Sequence, residues 1–311
     1  MPSIYHQEYP DDHAAMVAMR ALIASQPPIE FGPEGRPVFD MLLQQTPPAD
    51  GIAYEATEVG GVPGWWCRPE DAAEKAAVLY LHGGAYVLGS ASAYRNFVGQ
   101  IAFRAKAAAF IPDYRLAPEH PFPAAVEDAQ AAFHGLAVAG FKTVALAGDS
   151  AGGGLSLTLL SLATTAARAR AGLLPAGAAV MSPWTDMTLS GASIKDRADA
   201  DPLLTLEAGK RAMRLYLGGH DPGDPRVSPL FGNLQDLPPV LLHVGEDEVL
   251  LDDSRNYAKL TEAVGGQVEL HIWQGMVHVF PTNLAFLRAA REALDNIGAF
   301  LGQSILGRSR R

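Results

Sequence analysis

Short apolar runs alternate with amphipathic stretches along most of the chain, and the middle runs are apolar throughout. Strands of a parallel sheet have this pattern because helices cover both of their faces. The stretches between the runs have the spacing of amphipathic helices. The apolar runs predict strands at 77–81, 107–112, 144–147, 178–181, 240–244 and 268–273.

The amphipathic stretches predict helices at 11–25, 36–45, 122–138, 152–169, 205–217, 253–263 and 284–301. Residues 54–68 predict two strands joined at Gly60-Gly61, whose turn chemistry suits a hairpin. The repeated order of strand and helix implies a doubly wound α/β sheet. We expect about eight mostly parallel strands with helices on both faces.

One connection is much longer than the others. Almost sixty residues separate the strand that ends at Met181 from the strand that starts at Val240. A connection of this length is usually a lid or a binding insertion. We expect it to cover the carboxyl edge of the sheet, where open α/β folds bind ligands. The expected division is a helical cap, built from residues 1–48 and an insertion at about 187–225, on a catalytic domain of residues 49–311.

Composition and charge narrow the class of protein. With 48% hydrophobic and 19% charged residues in 311, the chain has ample material for a core, which excludes disorder for its bulk. The net charge of −10 repels phosphate backbones, so we expect no nucleic-acid partner. The one basic cluster, Arg308, Arg310 and Arg311, stands at the C-terminal end.

The single cysteine, Cys67, excludes an intrachain disulfide and a metal-binding cysteine pair. It favours a reducing compartment. The first residues lack the basic flank and apolar run of a signal peptide, and no run approaches the about 18 apolar residues of a membrane helix. We therefore expect a cytoplasmic protein without a membrane span.

The strongest chemical signal is Gly148-Asp149-Ser150-Ala151-Gly152, between an apolar strand and a helix. G-x-S-x-G in this context is the nucleophile elbow, a sharp turn that exposes the serine at a helix N-terminus. The alternative is a glycine-rich phosphate turn. It is disfavoured because no Lys-Ser or Lys-Thr follows, as a P-loop requires.

A second signal, His82-Gly83-Gly84-Ala85, directly follows the strand at 77–81. Glycines here allow backbone N–H groups to point into a site, and together with the N–H of Ala151 they can bind an oxyanion. The alternative is an ordinary Gly-Gly turn. We interpret His82 as a structural hydrogen-bonding residue of the loop.

From Val78 to Phe280 the chain resembles the hormone-sensitive-lipase-like (family IV) esterases of the α/β-hydrolase fold. Five motifs carry the resemblance, in the family's order: HGGAY, DYRLAPEHPFPAAVED, GDSAGGG, SPWTD and GMVHVF. Ala85 stands where the family has a third glycine. The resemblance implies an oxyanion hole made by the N–H groups of Gly83, Gly84 and Ala151. It also implies a catalytic triad in the chain order serine, acid, histidine.

Nine histidines compete for the base, and His278 is the candidate, because it follows the last strand on a loop that can reach Ser150. His82 is taken as structural. The others are assigned to strands (His243 and His271), to the surface (His6, His13, His134 and His220) and to a structural turn (His120).

The triad acid lies in GEDEVLLDDS, just past the strand at 240–244. The family shows an acid, then Pro, Leu, any residue and Asp. Counting from Glu248 places the Leu and the trailing Asp in register, whereas counting from Asp247 does not. Glu248 is therefore the candidate and Asp247 the alternative. Asp252 and Asp253 begin the next helix, where acidic residues suit the positive end of the dipole.

Four further residues have two interpretations each. Arg115 and Glu119 are more readily a salt-bridged scaffold behind the glycine loop than catalytic charges. Tyr86 and Trp184 are candidates for the wall of a substrate pocket, with ordinary core packing as the alternative.

The expected chemistry is acyl transfer: Ser150 attacks an ester while neutral His278 takes its proton. This mechanism needs no metal or organic cofactor, and the expected partner is a small-molecule ester with a short to medium acyl chain. The alternatives are a hydrolase of amides, lactones or carbamates with the same triad, and a non-catalytic ligand-binding relative. We also expect a homodimer, because the last strand-like run, QVELHIW, is predicted to form an exposed sheet edge.

Overall fold

The computed structural model describes residues 3–308, so Arg310 and Arg311 of the basic cluster lie outside the described residues. Within this range the strands are β1 (Ile4–His6), β2 (Ile52–Val59), β3 (Val62–Pro69), β4 (Ala76–Leu81), β5 (Ala108–Pro112), β6 (Thr143–Asp149), β7 (Ala178–Met181), β8 (Val240–Gly245) and β9 (Val268–Trp273). The helices are α1 (Pro10–Ala24), α2 (Arg36–Leu43), α3 (Ala91–Ala105), α4 (Ala124–Val138), α5 (Ser150–Arg168), α6 (Ser193–Asp196), α7 (Leu206–Leu217), α8 (Leu251–Ala263) and α9 (Arg288–Arg308).

In the described residues the strands form one nine-stranded sheet in the order β1-β9-β8-β7-β6-β4-β5-β3-β2. β2 and β3 form the predicted hairpin, and β3 is also antiparallel to β5. The remaining pairs are parallel. The predicted α/β-hydrolase fold is confirmed, with one strand more than expected.

Apolar clusters cover both faces of the sheet. β4 contributes Leu79 and Leu81 to the cluster on one face and Val78 and Tyr80 to the cluster on the other. All four side chains are fully buried. This two-sided burial explains why the central strands are apolar at every position.

The edge that we expected at β9 is occupied. β1 pairs with β9 in parallel, with Ile4 opposite His271 and His6 opposite Trp273. His6, which we assigned to the surface, is half-buried, and its ring stacks on Trp273 with centroids 3.7 Å apart. The edge prediction is therefore wrong, and the homodimer stays a prediction without this structural reason.

Of the segment 1–48, which is predicted as part of a cap, Ile4–His6 belong to the sheet as β1, and α1 is attached to α9. Asp12 of α1 is buried and accepts hydrogen bonds from the N–H groups of Arg288 and Ala289, which begin α9. This arrangement satisfies two donors that a helix N-terminus leaves without an intrahelical acceptor. Among the described residues, no helix is both long and apolar enough to cross a membrane.

Candidate active site

Ser150 lies at the junction of β6 and α5, as the elbow motif predicts. Its φ of 52° is in the left-handed region, which a residue with a Cβ rarely adopts. Gly152 has no room for a side chain, because a Cβ there would stand 2.1 Å from the carbonyl oxygen of Leu81. The small residues of the motif therefore permit the close packing that holds this strained turn.

The structure brings together Ser150, His278 and Glu248, which are far apart in the chain. Nε2 of His278 lies 2.9 Å from Oγ of Ser150, and Nδ1 of the same ring lies 3.1 Å from Oε1 of Glu248. Glu248 is fully buried. A carboxylate can only accept, so Nδ1 carries the imidazole proton and the lone pair of Nε2 faces the serine.

Asp247, the alternative acid, points elsewhere. Its Oδ2 accepts a hydrogen bond of 2.7 Å from Arg20 of α1, and its side chain is 28% exposed. Burial raises its pKa, and the nearby arginines oppose this effect. Asp253 is also buried, but its partners are the backbone N–H groups of Thr185 and Asp186 and not the imidazole of His278.

Ser182 supports the acid and was not predicted from the sequence. Its hydroxyl donates to Oε2 of Glu248 at 2.7 Å and accepts the N–H of Val279 at 3.1 Å. Oε2 also accepts the N–H of Gly245 at 3.0 Å. Two sequence signals could have found it: Ser182 opens the SPWTD motif, and it directly follows β7 at the carboxyl edge of the sheet. One hydroxyl thus ties the acid to the loop that carries His278.

The pKa of His278 is raised above its ordinary value of 6.5. Burial by itself lowers this pKa, but the charge of Glu248 and the hydrogen bond to it outweigh the burial. The carboxylates of Asp201 and Asp149 act in the same direction. The surroundings of the ring therefore stabilise the imidazolium.

The glycine loop differs from the prediction at Gly83. Its single N–H donates to Oδ1 of Asp149 at 3.0 Å, so the assignment of Gly83 as an oxyanion donor is contradicted. The N–H groups of Gly84 and Ala85 have no protein acceptor within residues 3–308. Ala151 lies in the first turn of α5, where N–H groups lack an intrahelical acceptor. The available donors are thus shifted by one residue along the loop.

Asp149 fixes the glycine loop through its hydrogen bond with Gly83. Its buried carboxylate also accepts the hydroxyls of Tyr80 and Tyr94, at 2.7 and 3.0 Å. Burial raises the pKa of Asp149, and its three hydrogen bonds oppose the effect. His82 has the structural place that we predicted: its Nδ1 donates to the carbonyl of Gly83 at 2.8 Å, and burial lowers its pKa to about 4.

Tyr86 and Trp184 are both buried near the elbow. The ring of Tyr86 stacks on Tyr216 of α7 with centroids 3.8 Å apart, so the insertion meets the glycine loop here. The backbone N–H of Trp184 donates to the carbonyl of Ser150 at 2.9 Å. The hydroxyl of Tyr86 also lies near Gly154 in the first turns of α5, because a Cβ at Gly154 would stand 3.6 Å from it. The roles of Tyr86 and Trp184 toward a substrate stay predictions.

The remaining candidates lie away from the serine. Arg115 pairs with Asp128 at 2.8 Å, and Glu119 pairs with Arg36 of α2 at 2.7 Å. These four charges tie α2, α4 and the segment after β5 into a scaffold. The histidines exposed on helices and loops are His13, His120, His134 and His220. Among the described residues, no cluster of three His, Cys, Asp or Glu side chains is arranged to hold a metal ion.

An elbow serine, an imidazole and a buried carboxylate, joined by hydrogen bonds at the carboxyl edge of a mostly parallel sheet, are the arrangement of the alpha/beta hydrolases. A family model described as alpha/beta hydrolase fold matches residues 78–282. The protein is an alpha/beta hydrolase.

Similar proteins and solved structures show which group of alpha/beta hydrolases the chain belongs to. An esterase of Acinetobacter venetianus is 33% identical over 91% of this chain and 93% of its own. An acetyl-hydrolase of Streptomyces hygroscopicus is 40% identical over 82% of this chain and 83% of its own. The crystal structure of an esterase from the bacterial hormone-sensitive lipase family superposes with a TM-score of 0.87 at 38% identity, covering 96% of this chain and 99% of that one. The chain belongs to the hormone-sensitive-lipase-like esterases of the alpha/beta-hydrolase fold.

Proposed function

We propose that the protein is a serine carboxylesterase that hydrolyses short- to medium-chain carboxylic esters through an acyl-enzyme. Ester hydrolysis as such follows from the family, whose relatives are named esterase and acetyl-hydrolase. The observation that supports the finer proposal is the line of hydrogen bonds from Ser150 through His278 to Glu248.

In the first half-reaction, Oγ of Ser150 forms a bond to the ester carbonyl carbon while Nε2 of His278 takes the hydroxyl proton. The 2.9 Å separation of these two atoms is within the range for such a transfer. Glu248 keeps the Nδ1 proton in place and stabilises the imidazolium that forms. The carbonyl π electrons move onto oxygen to give a tetrahedral oxyanion.

We assign the oxyanion to the N–H groups of Gly84, Ala85 and Ala151. Ala85 takes the place of Gly83 in this set because the N–H of Gly83 already donates to Asp149. In another serine hydrolase, removal of one preorganised oxyanion donor costs about 2.7–4 kcal/mol of transition-state stabilisation. The positive end of α5 adds to the stabilisation.

The tetrahedral intermediate collapses when the carbon–oxygen bond to the alcohol breaks and His278 gives its proton to the leaving alkoxide. Water then attacks the acyl carbon while His278 accepts one of its protons. The bond between this carbon and Oγ of Ser150 breaks as His278 returns the proton to Oγ, which releases the carboxylic acid and restores the serine. Protein groups alone carry every proton and charge in this sequence, so the proposal involves no metal or organic cofactor.

The preference for short to medium acyl chains rests on two observations. The Tyr86–Tyr216 stack fills space beside the elbow, and the Streptomyces relative carries the name acetyl-hydrolase. We further propose that residues 10–48, which follow β1, and residues 187–225 form the cap over this site. The proposed compartment is the cytoplasm, since the one cysteine, Cys67, is buried and needs no oxidising partner.

A rate panel tests the proposal. Aryl esters of increasing acyl length, together with a matched anilide and a lactone, are assayed with the wild type and with Ser150→Ala. We expect the highest kcat/KM on short esters and no turnover by the variant. If the anilide or the lactone were hydrolysed faster than every ester, the proposal that esters are the substrate class would be wrong.

A further inference from the structure

The loop that carries the proposed triad acid is held by the cap segments. We define the acid loop as residues 246–250, between β8 and α8. Side chains from α1 and from the segment 193–201 of the insertion bind the residues on both sides of Glu248. The catalytic domain itself contributes the contacts of Glu248 to Ser182 and Gly245 described above.

On the N-terminal side of Glu248 the contact is Arg20 of α1. One guanidinium nitrogen donates to Oδ2 of Asp247 at 2.7 Å, and the other donates to the carbonyl of Ala200 in the insertion. A single side chain therefore joins both cap segments to the acid loop. The side chain of Arg20 is partly exposed.

On the C-terminal side the contacts come from Asp201 and Ser193. Oδ2 of Asp201 accepts the N–H of Val249 at 3.0 Å, and Oγ of Ser193 donates to the carbonyl of Val249 at 2.6 Å. Both backbone groups of the residue that follows Glu248 are thus fixed by the insertion. Asp201 is only 6% exposed, although the segment around it is largely at the surface.

The two oxygens of Asp201 have different partners. Oδ1 accepts the N–H groups of Leu203 and Leu204, at 2.8 and 2.9 Å, which closes a local turn of the insertion. Oδ2 reaches out of the insertion to Val249. A carboxylate satisfies all three donors, whereas the amide of asparagine keeps one acceptor oxygen and turns an NH2 toward the third.

We propose that Asp201 and Arg20 are positioning residues that clamp the acid loop, so that the cap sets the place of Glu248 in addition to covering the site. The inference rests on the proposed triad. The carboxylate of Asp201 has a second effect, because its charge adds to those of Glu248 and Asp149 in stabilising the imidazolium of His278.

The test is the variant Asp201→Asn, measured for kcat, KM and the pH dependence of kcat/KM on a short aryl ester. It preserves the local turn and breaks the contact to Val249. We expect kcat to fall on the order of 10²-fold, as a displacement of about 1 Å in catalytic geometry produces. KM should change little. The acidic midpoint should move to lower pH, because a negative charge near His278 is lost.

Two further variants accompany it. Asp128→Asn is the matched control, because Asp128 is a buried aspartate of α4 that accepts the backbone N–H and the guanidinium of Arg115 and touches α4 and the segment after β5 instead of the acid loop. It should lower the melting temperature and leave kcat and the pH midpoint unchanged. Arg20→Ala removes the opposite side of the clamp at a partly exposed position and should lower kcat with KM unchanged.

The outcomes separate the clamp from the triad. Wild-type kcat and pH midpoint in a folded Asp201→Asn would overturn the clamp, provided that Glu248→Gln in the same series is impaired. If Asp201→Asn does not fold, wild-type kcat in Arg20→Ala overturns it. If Glu248→Gln also retains wild-type kcat, the proposed triad itself is wrong.

Discussion

Glu248→Gln is the substitution for which the structure gives the sharpest expectation. Oε2 of Glu248 accepts the hydroxyl of Ser182 and the N–H of Gly245. In the variant the amide oxygen takes this position, because an NH2 group has no lone pair to offer the two donors. The NH2 group is then directed at Nδ1 of His278, where Oε1 now lies at 3.1 Å.

A donor at Nδ1 forces the imidazole into its other tautomer, with the proton on Nε2. Nε2–H then faces Oγ of Ser150 and cannot accept its proton. The same change of tautomer in a serine protease lowers kcat about 10⁴-fold. This factor corresponds to about 5.4 kcal/mol of lost transition-state stabilisation. We expect a decrease of that order in Glu248→Gln, with the fold retained because the side chain keeps its shape.

The assay compares kcat and KM of Glu248→Gln and Asp247→Asn on one short aryl ester, with circular dichroism as the check of folding. Asp247→Asn should cost far less, because Asp247 is partly exposed and pairs with Arg20. The reverse ranking of the two variants would make Asp247 the triad acid and refute the reasoning from the geometry.

Three other outcomes follow from the site. Ser150→Ala should abolish ester turnover and move the melting temperature little, since the side chain is used for chemistry; turnover within tenfold of the wild type would contradict its role. kcat/KM should fall in acid with one ionisation and a midpoint above pH 6.5. The reason is that neutral His278 is the base and the charge of Glu248 raises the pKa of His278 despite its burial. A value of kcat/KM that stays flat down to pH 5 would exclude His278 as the base. Ser182→Ala should lower kcat and reduce the free energy of unfolding by about 1–3 kcal/mol, because the buried N–H of Val279 loses its acceptor. Unchanged kcat and unchanged stability to denaturant would show that the hydroxyl of Ser182 does not support Glu248.

The strands and the elbow were predictable because their signals are local. The predicted strands 178–181 and 268–273 coincide with β7 and β9, and the elbow sequence places Ser150 at the start of α5. Three elements gave no such signal, and α6, with four residues, is too short to show a helical period. β1 has only three residues, too few for a periodic pattern. α3 is buried on most of its surface, so its sequence lacks a distinct polar face.

The rest of the site depends on contacts between distant parts of the chain. Ser182 and Asp201 approach the acid loop only after the sheet and the insertion have folded, at separations of 66 and 48 residues from their partners. The engagement of Gly83 by Asp149 likewise depends on two neighbouring strands, β4 and β6. Motif register could therefore select Glu248 but not the groups that position it or the exact oxyanion donors.

The most direct test of the proposed function is covalent labelling of the native protein with a fluorophosphonate, followed by peptide mass spectrometry. An activated serine attacks the phosphorus and displaces fluoride, which leaves a stable adduct on Oγ. We predict one adduct per chain, on the peptide that contains Ser150, and none in Ser150→Ala. The absence of an adduct on Ser150 in folded, ester-hydrolysing wild type would contradict a mechanism through an acyl-enzyme at this residue.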